Sequence, residues 1–183
     1  MIKLETERLI IRNFTPEDWK DIAEVAFDYE KSDLAVYDHG PWPSSIEDYK
    51  GIAEWFAKGD SFVAVILRNE MKLIGWIAKP RSEKEENEYN FGYIFHSNYH
   101  GKGYATESCK TMIRYIFEEL QAEKIITGTA KVNEPSNKLL TGLGFSFIGE
   151  ASQSFRKDSE GKPIEFIGNE YSLSKEEYDK RRE

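Results

Sequence analysis

The chain has one cysteine, Cys109, in 183 residues. A lone thiol closes no disulfide within the chain, which excludes a disulfide-stapled fold and favours a reducing compartment. Long apolar runs are missing too: no stretch approaches the ~20 residues of a membrane-spanning helix. The opening residues, Met1-Ile2-Lys3-Leu4-Glu5-Thr6-Glu7, have no apolar signal core. The expectation is a cytoplasmic protein with no membrane partner. Positive charge is scarce: 25 Lys and Arg stand against 33 Asp and Glu, for a net charge of −8. Without a basic cluster, binding of nucleic acid through phosphate neutralisation is not expected. Repeats, low-complexity tracts and linkers are all absent, so residues 1–183 read as a single domain.

What is present points to a folded α/β chain. Hydrophobic residues at 39% and charged residues at 32% suit a globular domain. An acidic surface attracts a cationic substrate such as an amine or a basic peptide, and it serves solubility equally well. Leu9-Ile10-Ile11 reads as a strand. Thr15-Pro16-Glu17-Asp18 opens a helix, with Thr15 as cap, Pro16 at the first position and Asp18 closing a capping box. Its apolar face is Trp19, Ile22, Ala23, Ala26 and Phe27. Residues 37–43 break all periodicity and form a loop, and Ser44-Ser45-Ile46-Glu47 starts a second helix. Strands follow over 61–67, 72–78 and 88–95. Ala105, Cys109, Met112, Ile113, Ile116, Phe117 and Leu120 then recur at helical spacing. A strand over 125–132, a short helix from Pro135 to Gly144 and strands over 145–151 and 166–173 complete the order. This is a mixed α/β domain, with a central mixed sheet of about six to seven strands flanked by about four helices.

The stretch between the third central strand and the long helix carries the chemistry. A strand feeding a glycine turn feeding a helix N-terminus makes an anion site, because the first N–H groups of the helix are unpaired and carry partial positive charge. Gly101 and Gly103 let backbone approach a pyrophosphate, and Lys102 adds a mobile charge. An NTPase phosphate loop requires Ser or Thr after Gly-Lys, and here Gly103 follows. A dinucleotide fingerprint requires a third glycine where Thr106 stands, and an acid that the strand Ile125-Ile126-Thr127-Gly128-Thr129 lacks.

Asn98-Tyr99-His100-Gly101-Lys102-Gly103-Tyr104-Ala105-Thr106-Glu107 resembles the coenzyme A motif of the GNAT acetyltransferases, with Asn98 departing from the usual Gln or Arg. Thr6-Glu7-Arg8-Leu9-Ile10-Ile11-Arg12, and Asn133 with Ser136 followed by Leu143-Gly144-Phe145, extend the resemblance to the branch typified by RimJ/RimL ribosomal-protein N-terminal acetyltransferases. It covers almost the whole chain. The resemblance implies acetyl-CoA as co-substrate and an amine acceptor attacking the thioester directly; no metal is expected, because His96 and His100 come without an HExxH pattern or a cysteine pair. That acceptor is a protein N-terminus or a small molecule such as an aminoglycoside, polyamine or amino acid; a coenzyme A-binding module without catalysis is the alternative. It also implies coenzyme contacts from the backbone of Ile94, Phe95 and His96, from His100, Gly101, Lys102, Gly103, Tyr104, Ala105 and Thr106, and from Asn133. Ser136 falls to the leaving thiolate, the more so because Leu140 stands where many of these enzymes carry a tyrosine acid.

The candidate bases are Glu88 and His96, since Asn90 occupies the position where this branch often has an acid and cannot ionise. Glu88 shares a strand face with Asn90, Gly92 and Ile94 and would act through water. His96 is the second candidate because imidazole is the side chain suited to proton transfer at neutral pH. Glu107 reads as first-turn helix stabilisation, and Cys109 as a buried, inert thiol. Tyr37, Asp38, His39 and Trp42, between the first two helices, offer an anion and aromatic faces to a cationic acceptor. The sequence leaves a monomer and a homodimer both open, with the tail from Glu176 to Glu183 a candidate subunit contact.

Overall fold

The computed structural model describes residues 1–181; Arg182 and Glu183, the end of the charged tail, lie outside the described residues. The expected mixed α/β domain is what the chain forms. Strand β1 is Lys3–Glu5 and β2 is Leu9–Asn13; the helices α1 and α2 are Trp19–Glu30 and Ile46–Ala57. Then come β3 (Phe62–Leu67), β4 (Lys72–Ala78), β5 (Glu88–Asn90), β6 (Gly92–Phe95), α3 (Tyr104–Glu118), β7 (Lys124–Ala130), α4 (Glu134–Leu143), β8 (Ser146–Gln153), β9 (Phe166–Ser174) and α5 (Lys175–Lys180). Short β1 and α5 are additions to the order read from the sequence.

The sheet is divided where the sequence suggests continuity. One sheet runs β1-β2-β3-β4-β6 and the other β5-β7-β9-β8. The segment 88–95 belongs to both: β5 pairs parallel with β7, while β6 pairs antiparallel with β4. The change of partner falls at Phe91. Its N–H donates to the Ile126 carbonyl at 2.9 Å, the last backbone bond to β7. Its carbonyl accepts the Thr127 hydroxyl at 2.6 Å, so a side chain takes the place of the next rung. Beyond that point β6 and β7 separate and leave a gap.

Period-two burial sorts β3 between two cores. Val63, Val65 and Leu67 join Cys109, Met112, Ile113, Ile116 and Phe117 of α3. Ala64 and Ile66 join Ile22, Val25 and Ala26 of α1 and Tyr49, Ala53 and Phe56 of α2. In α1, Val25 is buried and Phe27 is 43% exposed, a shift of the expected apolar face. Phe27 lies against the edge of Tyr49 instead of entering the core. Helix α1 is preceded by a single 3-10 turn, Pro16–Asp18, with the expected capping box. Among the described residues no helix is long and apolar enough to cross a membrane.

Candidate active site

The glycine loop ends β6 and starts α3. Gly101 has φ +71° and Gly103 has φ +82°, left-handed values that favour glycine. Gly103 occupies the N-cap position of α3 with no side chain to satisfy the helix N–H groups. The backbone bonds flanking the loop are His100 N–H to Ser97 and Glu107 N–H to Gly103. Between them, the amides of Gly101 and of residues 103–106 have no backbone acceptor among the described residues, while the Lys102 amide closes a turn. These donors at the mouth of α3, with Lys102 alongside, fit a pyrophosphate.

The loop is braced from the N-terminus of the chain. The Arg8 guanidinium pairs with the Glu107 carboxylate at 2.6 Å, and a second nitrogen donates to the Lys102 carbonyl at 2.9 Å. Thr6 Oγ1 and the Arg8 backbone N–H donate to the same carboxylate at 2.5 and 3.2 Å. Burial alone would raise the Glu107 carboxyl, but the Thr6 and Arg8 hydrogen bonds outweigh it and hold the group below the usual range. The Arg8 guanidinium also lies 4.6 Å from the centre of the Tyr104 ring. Thr6-Glu7-Arg8 is therefore a strap over the first turn of α3. Glu107, read from sequence as a helix-dipole residue, is its anchor.

From α1, Asp28 accepts the Ser97 N–H at 2.7 Å and the Ser97 hydroxyl at 2.8 Å. His96 lies between Asp28 and Glu24, at 3.7 and 3.9 Å, and its Nδ1 accepts the Asn98 N–H at 3.2 Å. The His96 ring thus braces the loop on the α1 side, with its basic lone pair already engaged. His100 Nε2 lies 2.8 Å from the Phe95 carbonyl, which makes it a loop-to-strand tie.

The backbone groups facing the gap differ from those expected. His96 N–H donates to Ile74 of β4, and the register pairs Ile94 with Trp76. In an antiparallel ladder the bonded pairs alternate, so Ile94 and His96 point their backbone at β4 while Tyr93 and Phe95 point theirs at the gap. The expectation for Ile94 and His96 is corrected on that ground; the Phe95 amide does face the opening, joined by Tyr93.

Two hydroxyls meet at the gap. The phenol of Tyr93 lies 2.8 Å from Ser136 Oγ in the first turn of α4. Asn133 caps that helix by accepting the Ser136 N–H at 3.2 Å. Asn137 fixes the same turn: its amide donates to the Ala130 and Asn133 carbonyls at 3.1 and 2.8 Å, and its side-chain oxygen accepts from Tyr171 at 2.6 Å. Leu140, where a tyrosine acid is common, is buried at 1% exposure. Tyr93 and Asn137 are site neighbours that sequence reading missed. Tyr93 reads there as one more strand aromatic.

Glu88 is not brought to the gap. It is 4% exposed and bridged to Lys124 at 3.0 Å. Lys124 begins β7, whereas Ser136 lies beyond its far end, and six residues of strand span about 20 Å. Its role as a base is corrected accordingly. Asn90, on the same segment, is exposed and donates its N–H to Pro80. Cys109 is fully buried, and burial pushes its thiol well up.

The loop between α1 and α2 is clasped by the β8–β9 connection. Arg156 pairs with Glu30 at 2.7 Å and donates to the His39 carbonyl at 2.9 Å. Tyr37 packs on Phe166 and His39 on Phe155, with ring centres 5.3 and 5.0 Å apart. Trp42 meets Trp76 edge to face at 5.4 Å, and Trp76 is the cross-strand partner of Ile94. Trp42 is thus part of the α1/α2 core beside β6. Asp38 accepts the His39 N–H at 2.7 Å and faces the Tyr29 phenol, whose pKa burial and Asp38 both raise.

The chain is similar to known proteins in sequence and in fold. Residues 8–146 match the family model described as an acetyltransferase (GNAT) domain. The chain is 32% identical over 162 residues to YnaD of Bacillus subtilis (strain 168), an uncharacterised N-acetyltransferase, covering 86% of this chain and 90% of that protein. It is 26% identical over 184 residues to YdaF of the same organism, a putative ribosomal N-acetyltransferase, covering 94% of each. A crystal structure of a GNAT-family acetyltransferase from Bacillus anthracis superposes with a TM-score of 0.78 at 26% identity, over 96% of this chain and 99% of that one.

Proposed function

This chain belongs to the GNAT acetyltransferase family and is an acyltransferase; from that premise we propose that it moves the acetyl group of acetyl-CoA to the α-amine of a protein N-terminus by direct attack. The observation that carries the donor assignment is that the amides of Gly101 and of residues 103–106, at the mouth of α3, have no backbone acceptor among the described residues. In this reading they hold the pyrophosphate together with Lys102 and the backbone of Tyr104 and Ala105. The gap-facing amides of Tyr93 and Phe95 take the pantetheine arm, as an added strand would, and stabilise the oxyanion. Ser136 donates a hydrogen bond to the leaving sulfur, and Asn133 keeps its turn in place.

The acceptor assignment rests on the bases. Glu88 is bridged to Lys124, Asn90 cannot ionise, and His96 has its lone pair engaged. With none of these free, the acceptor in this reading arrives deprotonated from water. An α-amine, with pKa about 7.7–8.0, meets that need near neutral pH some hundreds of times more often than a lysine-type amine near 10.4. The likeness to YdaF, a putative ribosomal N-acetyltransferase, is in keeping with a ribosomal acceptor. Tyr37, Asp38 and His39, on the clasped loop, are proposed to line the acceptor's approach.

The test is competition between acceptors. Equal amounts of a free N-terminal peptide and its Nα-blocked, lysine-containing counterpart are incubated with acetyl-CoA at pH 7.5. Acetylation confined to the free α-amine is expected. Preferential acetylation of the lysine, or of a polyamine added alongside, overturns the acceptor assignment.

A further inference from the structure

Tyr93 and Ser136 are 43 positions apart in sequence, and their hydroxyl oxygens are 2.8 Å apart across the gap. Two hydroxyls carry two hydrogens, and the bond between them uses one. Neither oxygen has another partner among the described residues, so one hydrogen is left to the gap. Relative acidity decides which. A phenol is a far better donor than an aliphatic hydroxyl, so Tyr93 donates and Ser136 accepts. Burial pushes the Tyr93 phenol up, so it keeps its proton throughout the working pH range. The spare hydrogen is then the one on Ser136, which swings about the Cβ–Oγ bond, and a hydroxyl that already accepts a bond donates more strongly.

We propose that Tyr93 is a positioning residue whose phenol, by donating to Ser136 Oγ, aims the Ser136 hydrogen at the sulfur that leaves. This rests on the reading of Ser136 given above. When the amine nitrogen bonds to the thioester carbon and the carbon–sulfur bond breaks, the electron pair stays on sulfur. Ser136 holds that charge by a hydrogen bond without giving up its proton. The proton lost by the amine passes to solvent, and the free thiolate recovers one from solvent. The Tyr93–Ser136 pair thereby supplies the sulfur with a hydrogen bond that Leu140 cannot give.

The direct readout is the acidity of the thiol of coenzyme A bound to the protein, followed by the ultraviolet absorbance of the thiolate as pH is raised. No acceptor and no turnover are needed. The Tyr93 ring packs between Phe91 and Phe95, so Tyr93→Phe keeps the packing and removes only the hydroxyl. In the wild type the bound thiol is expected to titrate below free coenzyme A. Tyr93→Phe is expected to move it back up by about one unit, a roughly tenfold drop in the thiolate-to-thiol ratio. Ser136→Ala is expected to abolish the depression, Tyr93→Phe on that background to add nothing, and Ser136→Thr to retain most of it. An unchanged titration in Tyr93→Phe, or a further shift from Tyr93→Phe in the Ser136→Ala protein, overturns the proposal. Wild-type protein that binds coenzyme A without depressing its thiol removes the sulfur role of Ser136, and wild-type protein that does not bind it removes the cradle.

Discussion

Arg8 and Glu107 are 99 positions apart in sequence, yet their side chains are joined at 2.7 Å through Nε and at 2.6 Å through a terminal nitrogen. The same guanidinium reaches the Lys102 carbonyl. One arginine therefore fixes both the first turn of α3 and the glycine turn before it. Replacing it with glutamine keeps a donor but loses the fork. Arg8→Gln should weaken acetyl-CoA binding by about tenfold, because the loop must be ordered by the ligand instead of by the strap, and about 1.4 kcal/mol of ordering is a tenfold effect. Calorimetric titration with acetyl-CoA checks this, and unchanged affinity would show that the loop holds its shape without Arg8.

The two glycines of the loop should not respond alike. A Cβ on Gly101 meets nothing within 4 Å, so alanine there costs only the left-handed backbone, about 1–2 kcal/mol. A Cβ on Gly103 lies 3.3 Å from an Arg8 nitrogen and occupies the helix mouth. Gly103→Val should abolish detectable acetyl-CoA binding, while Gly101→Ala should retain it with a modest loss. Equal behaviour in the same titration counts against a cradle centred on Gly103.

Much of this site was legible in the sequence, because local signals carry it. Glycines before an amphipathic stretch mark a helix mouth, and Asn133 ahead of Pro135 marks another. What escaped depends on contacts between distant segments. The Tyr93–Ser136 bond, the Arg8–Glu107 pair and the Asp28 anchor of Ser97 join residues separated by 43, 99 and 69 positions. The break at Phe91 escaped for a different reason. Residues 88–95 read as one extended strand, and only the Thr127 hydroxyl on the Phe91 carbonyl marks where one sheet ends. With the break unseen, the alternation put Glu88 beside the chemistry, and the resemblance named the strand's amides without the register that orients them.

Gly75 sits opposite Phe95 across the β4–β6 ladder, and a Cβ there would collide with the Ile94 carbonyl and lie 2.9 Å from the Phe95 Cα. Both neighbours are backbone and cannot rotate away. Gly75→Ala should cost about 1–3 kcal/mol by displacing β6, a drop in Tm of roughly 2–12 °C for a chain of this size. Thermal unfolding followed by circular dichroism measures it, and an unchanged Tm would mean that β6 has freedom the pairing denies.

Asp28 and Glu107 anchor the loop from opposite sides, and both carboxyls are held low. For each, burial opposes ionisation and is outweighed by hydrogen bonds: from Ser97 to Asp28, and from Thr6 and Arg8 to Glu107. A carboxyl whose folded pKa lies below its unfolded value stabilises the fold above the unfolded value, and that stability is lost as pH falls through the folded one. Stability should therefore be flat above about pH 5 and fall below about pH 4. Replacing both groups by their amides should flatten that acid limb in denaturant titrations run across pH; an unaltered limb assigns acid unfolding to other carboxylates.

The proposed reaction is acetyl transfer from acetyl-CoA to an amine that water, not a side chain, has deprotonated. The measurement closest to it is kcat/KM against pH for a peptide with a free N-terminus, with released thiol and acetylated peptide quantified together. One thiol per acetylated α-amine is expected, with a rate rising to a plateau whose midpoint is the peptide's own amine pKa, about 8. A midpoint that stays at a lower pH when the peptide amine is made more basic would reveal a base on the protein, and thiol release without an acetylated amine would contradict transfer itself.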